Sequence, residues 1–404
     1  MIEIEGCVVV VPSDTGKNAP EQMAAPYPIH SDRGESRWLN SGDQFFERTL
    51  AAIAGARSSI WLETYIYAVG FPGNQIRDAL LSALQRGVEV KVLLDGWGSL
   101  FLPNHFWGGL EAAGGEVRWF NPLSLRRYGI RNHRKLLVCD GTTAFVGGIN
   151  IAPEWAGDGV THGWRDLGLE VHGRVAEELG ESFHKMFLMA PFRHKRFLRL
   201  RRTALRKTVR TGEGLLLLSG PGRGRNPFSE AIVKDLAAAR SVKILSAYFL
   251  PSGAIRRALM RCARSGCPIE IILAGRSDVP LAQLASRRLY QPLMRAGVQI
   301  LEYQPQILHA KLLVIDDIVY VGSANLDRRS LQINYELMLR ISSRTLADQA
   351  RSFFSADAAV SRRIDPLTWP QSRNLWSKLL ERWAFFLLTR LDPLMARRQL
   401  RNLR

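Results

Sequence analysis

One stretch of this chain occurs twice, and the repetition limits what the chain can fold into more than any other feature. The first copy reads His133-Arg134-Lys135-Leu136-Leu137-Val138-Cys139-Asp140 and is followed by Gly147-Gly148-Ile149-Asn150. The second reads His309-Ala310-Lys311-Leu312-Leu313-Val314-Ile315-Asp316 and is followed by Gly322-Ser323-Ala324-Asn325. Each copy is His-x-Lys, four residues, Asp, then Gly-Gly/Ser-x-Asn. The apolar runs on either side of Asp140-Gly141 and Asp316-Asp317 are turn-separated and predict a hairpin in each copy. In a strand, residues two apart share a face. His133 and Lys135 therefore point to one spot, as do His309 and Lys311. Asp140 and Asp316 lie five positions past their lysines, on the opposite parity and at the turn, and are expected to support the site from there.

The repetition extends beyond the motifs. Ala56-Arg57-Ser58 through Tyr65 matches Ala239-Arg240-Ser241 through Tyr248, and Arg86-Gly87 through Gly96 matches Ser265-Gly266 through Gly275. Ala113-Gly114 through Pro122 matches Ala296-Gly297 through Pro305. The offset is 183 residues at Tyr65/Tyr248 and 176 at His133/His309. From about residue 41 helical and strand-like periodicities alternate, with helices over Phe45–Ala56 and Gln75–Arg86 and strands over Ser59–Tyr67, Val88–Leu94 and Val117–Phe120. That series implies an α/β chain with mixed sheets flanked by helices. A duplicated fold brings its two motifs together across a pseudo-twofold axis, with the active site at the interface between halves. The expected organisation is an arm over 1–37, a first repeat over 38–188, a basic linker over 189–212, a second repeat over 213–357 and a C-terminal amphipathic basic segment over 358–404.

Two sets of His, Lys and Asn around one pocket suit an anionic phosphoryl group, where catalysis is positioning and charge stabilisation. One imidazole attacks phosphorus while the other protonates the leaving oxygen. Lys135, Lys311, Asn150 and Asn325 would hold the phosphate oxygens. No metal or other cofactor is needed, because the lysines neutralise charge and no metal-ligand cluster appears. The formal net charge of +18 favours an anionic partner, either nucleic acid or an anionic membrane. Four cysteines without Cys-x-x-Cys spacing point to a reduced setting rather than a disulfide framework. No window supplies the roughly 20 apolar residues of a spanning helix.

The duplicated His-x-Lys-x4-Asp pattern resembles that of the phospholipase D superfamily. The strings Gly322-Ser-Ala-Asn-Leu-Asp-Arg-Arg-Ser330, Asn334-Tyr335-Glu336, Leu62-Glu63-Thr64-Tyr65-Ile66-Tyr67 and Val92-Leu-Leu-Asp95-Gly96-Trp97-Gly98-Ser99 make it most similar to bacterial cardiolipin synthases. The likeness is to the shorter type without N-terminal membrane helices, and it runs from about residue 40 to 357. It implies a duplicated phospholipase D fold and phosphatidyl transfer between two phosphatidylglycerol molecules through a phosphohistidine. His133 is the expected nucleophile and His309 the expected acid/base. The resemblance also carries to Asp166 and Glu336 the task of orienting the imidazoles. Tyr65 and Tyr248, at matching strand ends, are either pocket lining or core. Gly148 stands where the second copy has Ser323, so the halves are not chemically identical.

Two stretches outside the repeats fit a lipid partner. Residues 193–210 are dense in Arg and Lys, free of acids and interleaved with Phe and Leu, and read either as a solvated linker or as a segment on anionic headgroups. Asn374 to Leu391 reads as an aromatic amphipathic helix, broken at Pro393 and followed by Arg397, Arg398, Arg401 and Arg404. It is expected either to lie in the membrane interface or to dock on the body of the enzyme. The expected location is peripheral, on the cytoplasmic face of a bacterial cell membrane. A phospholipase D hydrolysing phospholipids, or a nuclease of the same superfamily, stays open as an alternative. The apolar C-terminal segment weighs against nucleic acid.

Overall fold

In the computed structural model, the described residues are 36–122, 129–190, 207–211, 214–221 and 225–391. The expected N-terminal arm (apart from its last two residues), most of the basic linker and the Pro393–Arg404 tail lie outside them.

The first half is a mixed sheet of seven strands: β1 (Arg37–Leu39), β2 (Ser59–Thr64), β3 (Glu89–Asp95), β4 (Glu116–Phe120), β5 (Leu136–Cys139), β6 (Thr143–Gly147) and β7 (Gly168–His172). The second half supplies nine: β8 (Lys207–Thr211), β9 (Gly214–Ser219), β10 (Val242–Ser246), β11 (Ile269–Ala274), β12 (Gln299–Tyr303), β13 (Lys311–Ile315), β14 (Ile318–Gly322), β15 (Glu336–Ser342) and β16 (Ser361–Arg363). Their orders are β1-β7-β6-β5-β2-β3-β4 and β16-β12-β11-β10-β13-β14-β15-β9-β8. Without the added edges, β7-β6-β5-β2-β3-β4 and β15-β14-β13-β10-β11-β12 are the same arrangement, as the internal repeat requires.

Both motif hairpins form, β5–β6 and β13–β14. Their apolar runs are buried on both faces, so both parities are apolar. Leu136 and Val138 join Leu312 and Val314 in one core shared by the two halves. Leu137 and Cys139 face the first half's own core, and Leu313 and Ile315 the second's. Helices cover the sheets: α1 (Gly42–Gly55), α2 (Gly73–Gln85), α3 (Arg174–Met189), α4 (Pro227–Leu236), α5 (Gly253–Arg264), α6 (Pro280–Arg287), α7 (Arg344–Ala359) and α8 (Leu375–Phe386), besides shorter turns. Residues of α3 and α7 (Phe183, Phe187, Phe353 and Phe354 among them) fill the shared core.

Two boundaries differ from expectation. The end of the expected linker is a strand, β8, paired with β9 at a sheet edge. Its exposed Lys207 and Arg210 suit an edge, where charge discourages further pairing. Beyond residue 357, β16 pairs with β12 and closes the other edge of the same sheet.

Candidate active site

Strand direction places the site. β5 runs antiparallel to β2 and pairs Leu136 with Glu63, so His133 and Lys135 lie just beyond the C-terminal end of β2. β6 returns to the same end, placing Asn150 there, and β7 starts there, just after Asp166. The second half repeats the geometry with His309, Lys311, Asn325 and Glu336. His133, Lys135, Asn150, Asp166, His309, Lys311, Ser323, Asn325 and Glu336 are all buried polar groups.

The halves are stitched together at the two histidines. The His133 N–H donates to Tyr335 O at 3.0 Å, and Tyr335 N–H donates to Arg131 O at 2.9 Å. In mirror fashion, His309 and Ala310 donate to Arg165 O at 2.8 and 3.1 Å. Each histidine is thus bound to the residue preceding the other half's acid, and the side chains follow. Glu336 Oε2 lies 3.1 Å from His133 Nδ1, and Asp166 Oδ2 lies 2.6 Å from His309 Nδ1. Each imidazole is oriented by a carboxylate from the opposite half.

The two acid sites are built differently. Ser323 Oγ donates to Glu336 Oε2 at 2.5 Å and accepts from Leu337 N–H at 3.0 Å. At the equivalent position Gly148 leaves room for the Asp166 carboxylate itself: a Cβ there would lie 2.3 Å from Oδ1. Asp166 is held instead by the Trp155 indole N–H at 3.0 Å and the Leu167 N–H at 2.9 Å. Trp155 also meets His309 edge-on, with ring centroids 5.1 Å apart. Sequence reasoning missed Trp155, whose only signal is its place between Asn150 and Asp166.

The tyrosines line the pocket. Tyr65 meets His133 at 4.9 Å between centroids, with Lys135 Nζ 5.3 Å from its ring, and Tyr248 stands 6.5 Å from His309. Asn150 Oδ1 accepts from Ile66 N–H at 3.1 Å, which leaves its amide N–H bonds as donors. Asp95 accepts from Trp97, Gly98, Asn132 and Arg131 and so fixes the approach to His133.

Asp140 and Asp316 are not in this pocket. With a strand between, each lies about 20 Å from its histidine at some 3.3 Å per residue. Both sit at the hairpin turn in left-handed conformation, φ 54° and 50°. Asp140 accepts from the N–H groups of Arg57, Ser58 and Ser59, and Asp316 from those of Arg240 and Ser241. They support the far end of each hairpin and the start of the neighbouring strand.

Burial and like charge set the ionisation. Burial lowers the His133 pKa, against the pull of Glu336. Burial and then Lys311 bring His309 to about 4. Burial and then the nearby Lys311 bring Lys135 to about 7; burial lowers Lys311 too. Burial pushes Asp166 up, but His309 and Lys311 outweigh it and hold the carboxyl at about 2. Glu336 is lowered by His133 and Lys135 in the same way, against its own burial. Both carboxyls are thus held ionised, while burial favours the neutral form of both imidazoles and weakens the hold of both lysines on their charge.

The family described as "Cardiolipin synthase, PLD-like domain" matches the chain over residues 49–186 and again over 232–358. The chain belongs to this family. It is 33% identical over 371 residues to cardiolipin synthase B of Escherichia coli (strain K12), covering 88% of both chains. It is 32% identical over 343 residues to cardiolipin synthase 1 of Bacillus anthracis, covering 80% of this chain and 66% of that one. The chain thus spans about two thirds of the Bacillus cardiolipin synthase and most of the Escherichia one. Its fold is shared with phosphatidylserine synthase of Haemophilus influenzae Rd KW20, at TM-score 0.69, 16% identity and coverage of 89% and 94%. Polyphosphate kinase of Porphyromonas gingivalis aligns at TM-score 0.55 and 15% identity, over 85% of this chain and 52% of that one. Proteins named for such different substrates share the fold, so the fold alone does not select the lipid.

Proposed function

We propose that this cardiolipin synthase family member transfers a phosphatidyl group from one phosphatidylglycerol to the glycerol hydroxyl of a second, through a phosphohistidine. The observation that carries this reading is the pair of imidazoles, each oriented through Nδ1 by an acid of the opposite half, beside two buried lysines. His133 is the nucleophile: its ring is the more accessible of the two, and with Nδ1 at Glu336 its Nε2 is left for attack. Lys311 Nζ, in contrast, lies 2.9 and 3.1 Å from the two ring nitrogens of His309. His133 Nε2 forms a bond to phosphorus, the bond from phosphorus to the glycerol oxygen breaks, and His309 gives that oxygen its proton. An anionic phosphodiester between the lysines favours the protonated imidazole, so substrate binding draws in the proton that His309 donates. The second glycerol hydroxyl then returns a proton to His309 as its oxygen displaces His133, giving cardiolipin. Lys135, Lys311 and the amides of Asn150 and Asn325 hold the non-bridging oxygens and the charge that grows on them.

The enzyme works as a peripheral protein on an anionic membrane, from the cytoplasmic face. Among the described residues no helix is long and apolar enough to cross a membrane. Cys139, Cys262 and Cys267 are free thiols, which fits a reducing compartment.

The test is product analysis with purified protein and phosphatidylglycerol vesicles, beside His133→Ala and His309→Ala. Cardiolipin and glycerol from the wild type alone support transfer. Phosphatidic acid in their place would make the protein a hydrolase. Cleavage of single-stranded DNA without lipid turnover would make it a nuclease.

A further inference from the structure

Helix α8 is amphipathic, yet it meets the body along a narrow face that leaves most of its large apolar side chains outward. Glu381 and Ala384 are buried, with Glu381 paired to Arg373. Ala384, with Phe385 and then Leu388, meets the core of the second half. The side chains left in solvent are Leu375, Trp376, Leu379, Leu380, Trp383 and Phe386, with Trp376 79% and Trp383 55% exposed. At 100° per residue these six span an arc of about 140°. Lys378 and Arg382 are exposed along one border of that arc, and Arg390 lies one turn beyond it. Asn374 caps the helix through Ser377 N–H, so its first turn is fixed. A helix held through Glu381, Ala384 and Phe385, with three leucines, two tryptophans and Phe386 left outward, is a surface built to be covered.

The charges identify what covers it. In a contact between two copies the patch would meet itself, bringing Lys378, Arg382 and Arg390 against their own kind. The acid of α8, Glu381, is already spent inward on Arg373. A phospholipid bilayer supplies what is missing, an apolar layer beneath the leucines and tryptophans and anionic headgroups at the level of the cations. We propose that α8 is the element by which this protein docks on anionic phospholipid membranes. Its six outward apolar side chains enter the acyl boundary, and Lys378, Arg382 and Arg390 meet the headgroups. The proposal rests on the reading of the chain as an enzyme of membrane phospholipids.

Flotation of the full chain with vesicles tests it, using phosphatidylglycerol–phosphatidylcholine mixtures and phosphatidylcholine alone. The variants are Trp376→Ser/Leu379→Ser/Trp383→Ser and Lys378→Glu/Arg382→Glu, all at exposed positions. The wild type is expected to float with the anionic vesicles. The first variant should lose at least about 10-fold in partitioning to any vesicle, and the second should lose the preference for phosphatidylglycerol. Both should keep wild-type turnover in detergent micelles containing phosphatidylglycerol, where docking is bypassed. Unchanged flotation of the triple variant would overturn the proposal. So would a dimer, by light scattering, that this variant converts to monomer while flotation stays the same, because α8 would then be a self-contact. Wild type without product in micelles as well as vesicles would refute the enzymatic reading, while flotation still decides the docking.

Discussion

Replacing Gly148 with serine copies the second half's residue into the first, yet it should be far more harmful than the reverse exchange at Ser323. A Cβ at position 148 would stand 2.3 and 2.7 Å from the two carboxylate oxygens of Asp166. Both distances are inside contact, and the backbone on either side is tied into the sheet, so the carboxylate must yield. Moving it breaks the 2.6 Å pairing with His309 and the 3.0 Å bond from Trp155. A hydrogen bond to a charged group is worth about 1.5–3 kcal/mol, and a stranded indole N–H adds a further cost. A loss of about 3 kcal/mol in transition-state stabilisation is roughly 150-fold in rate. Ser323→Gly removes one hydroxyl from Glu336 but leaves the 3.1 Å pairing with His133 in place. Its expected cost is about 1.5 kcal/mol, the low end of that range, or roughly 10-fold. Initial rates of cardiolipin formation in detergent micelles, with thermal melting to confirm that each variant is folded, read both numbers. Gly148→Ser within fivefold of wild type, or the two variants equally impaired, would refute the assignment of Asp166 to His309.

Other substitutions probe the rest of the account. Trp155→Phe keeps the aromatic packing on His309 and removes the N–H bound to Asp166; turnover should fall about 10-fold with little change in KM, and a KM effect instead would make Trp155 a binding residue. With Lys135 at about 7, kcat/KM should decline as pH rises through neutrality and the lysine loses its charge. Lys135→Arg, which keeps its charge, should be slower but lose that alkaline limb, and a limb that persists would belong to another group. On the acid side the rate should hold below pH 6.5 before it falls, because burial depresses the nucleophile His133. Asp140→Ala should cost about 2 kcal/mol of stability through the lost turn hydrogen bonds and leave turnover per folded molecule unchanged; a lost turnover with an unchanged melting point would place Asp140 in the chemistry. Asp140→Asn, tolerated at φ 54°, should be milder.

The duplicated architecture was legible because each half repeats the same strand-and-turn grammar, and the apolar runs after Lys135 and Lys311 needed burial on both faces. Parity alone put Asp140 and Asp316 at the turns; that they support the hairpins rather than the pocket follows from the strand length between. The crossing of acids and histidines was not legible. Glu336 and His133 are 203 residues apart, and Asp166 and His309 are 143 apart. Which acid serves which imidazole depends on how the two sheets meet, and local pattern does not encode that. Trp155 escaped for a related reason: its indole does for Asp166 what a hydroxyl does for Glu336, with a different residue from a different place in the chain. Lys207–Thr211 was hidden because an edge strand with outward charges has the composition of a solvated linker. In α8 periodicity gave the apolar arc, and only tertiary packing revealed that Glu381, Ala384 and Phe385 turn inward while that arc faces out.

The most direct test of the central claim, phosphatidyl transfer by two histidines that the halves orient for each other, is a single-turnover quench with phosphatidylglycerol labelled at phosphorus. The quenched protein would be digested and its labelled peptide sequenced. The account predicts stoichiometric label on the peptide carrying His133, chased into cardiolipin by unlabelled phosphatidylglycerol, and no label in His133→Ala. In His309→Ala, labelling should be slow. Label on His309 would reverse the roles of the two histidines, and cardiolipin formed while neither histidine is ever labelled would contradict the account.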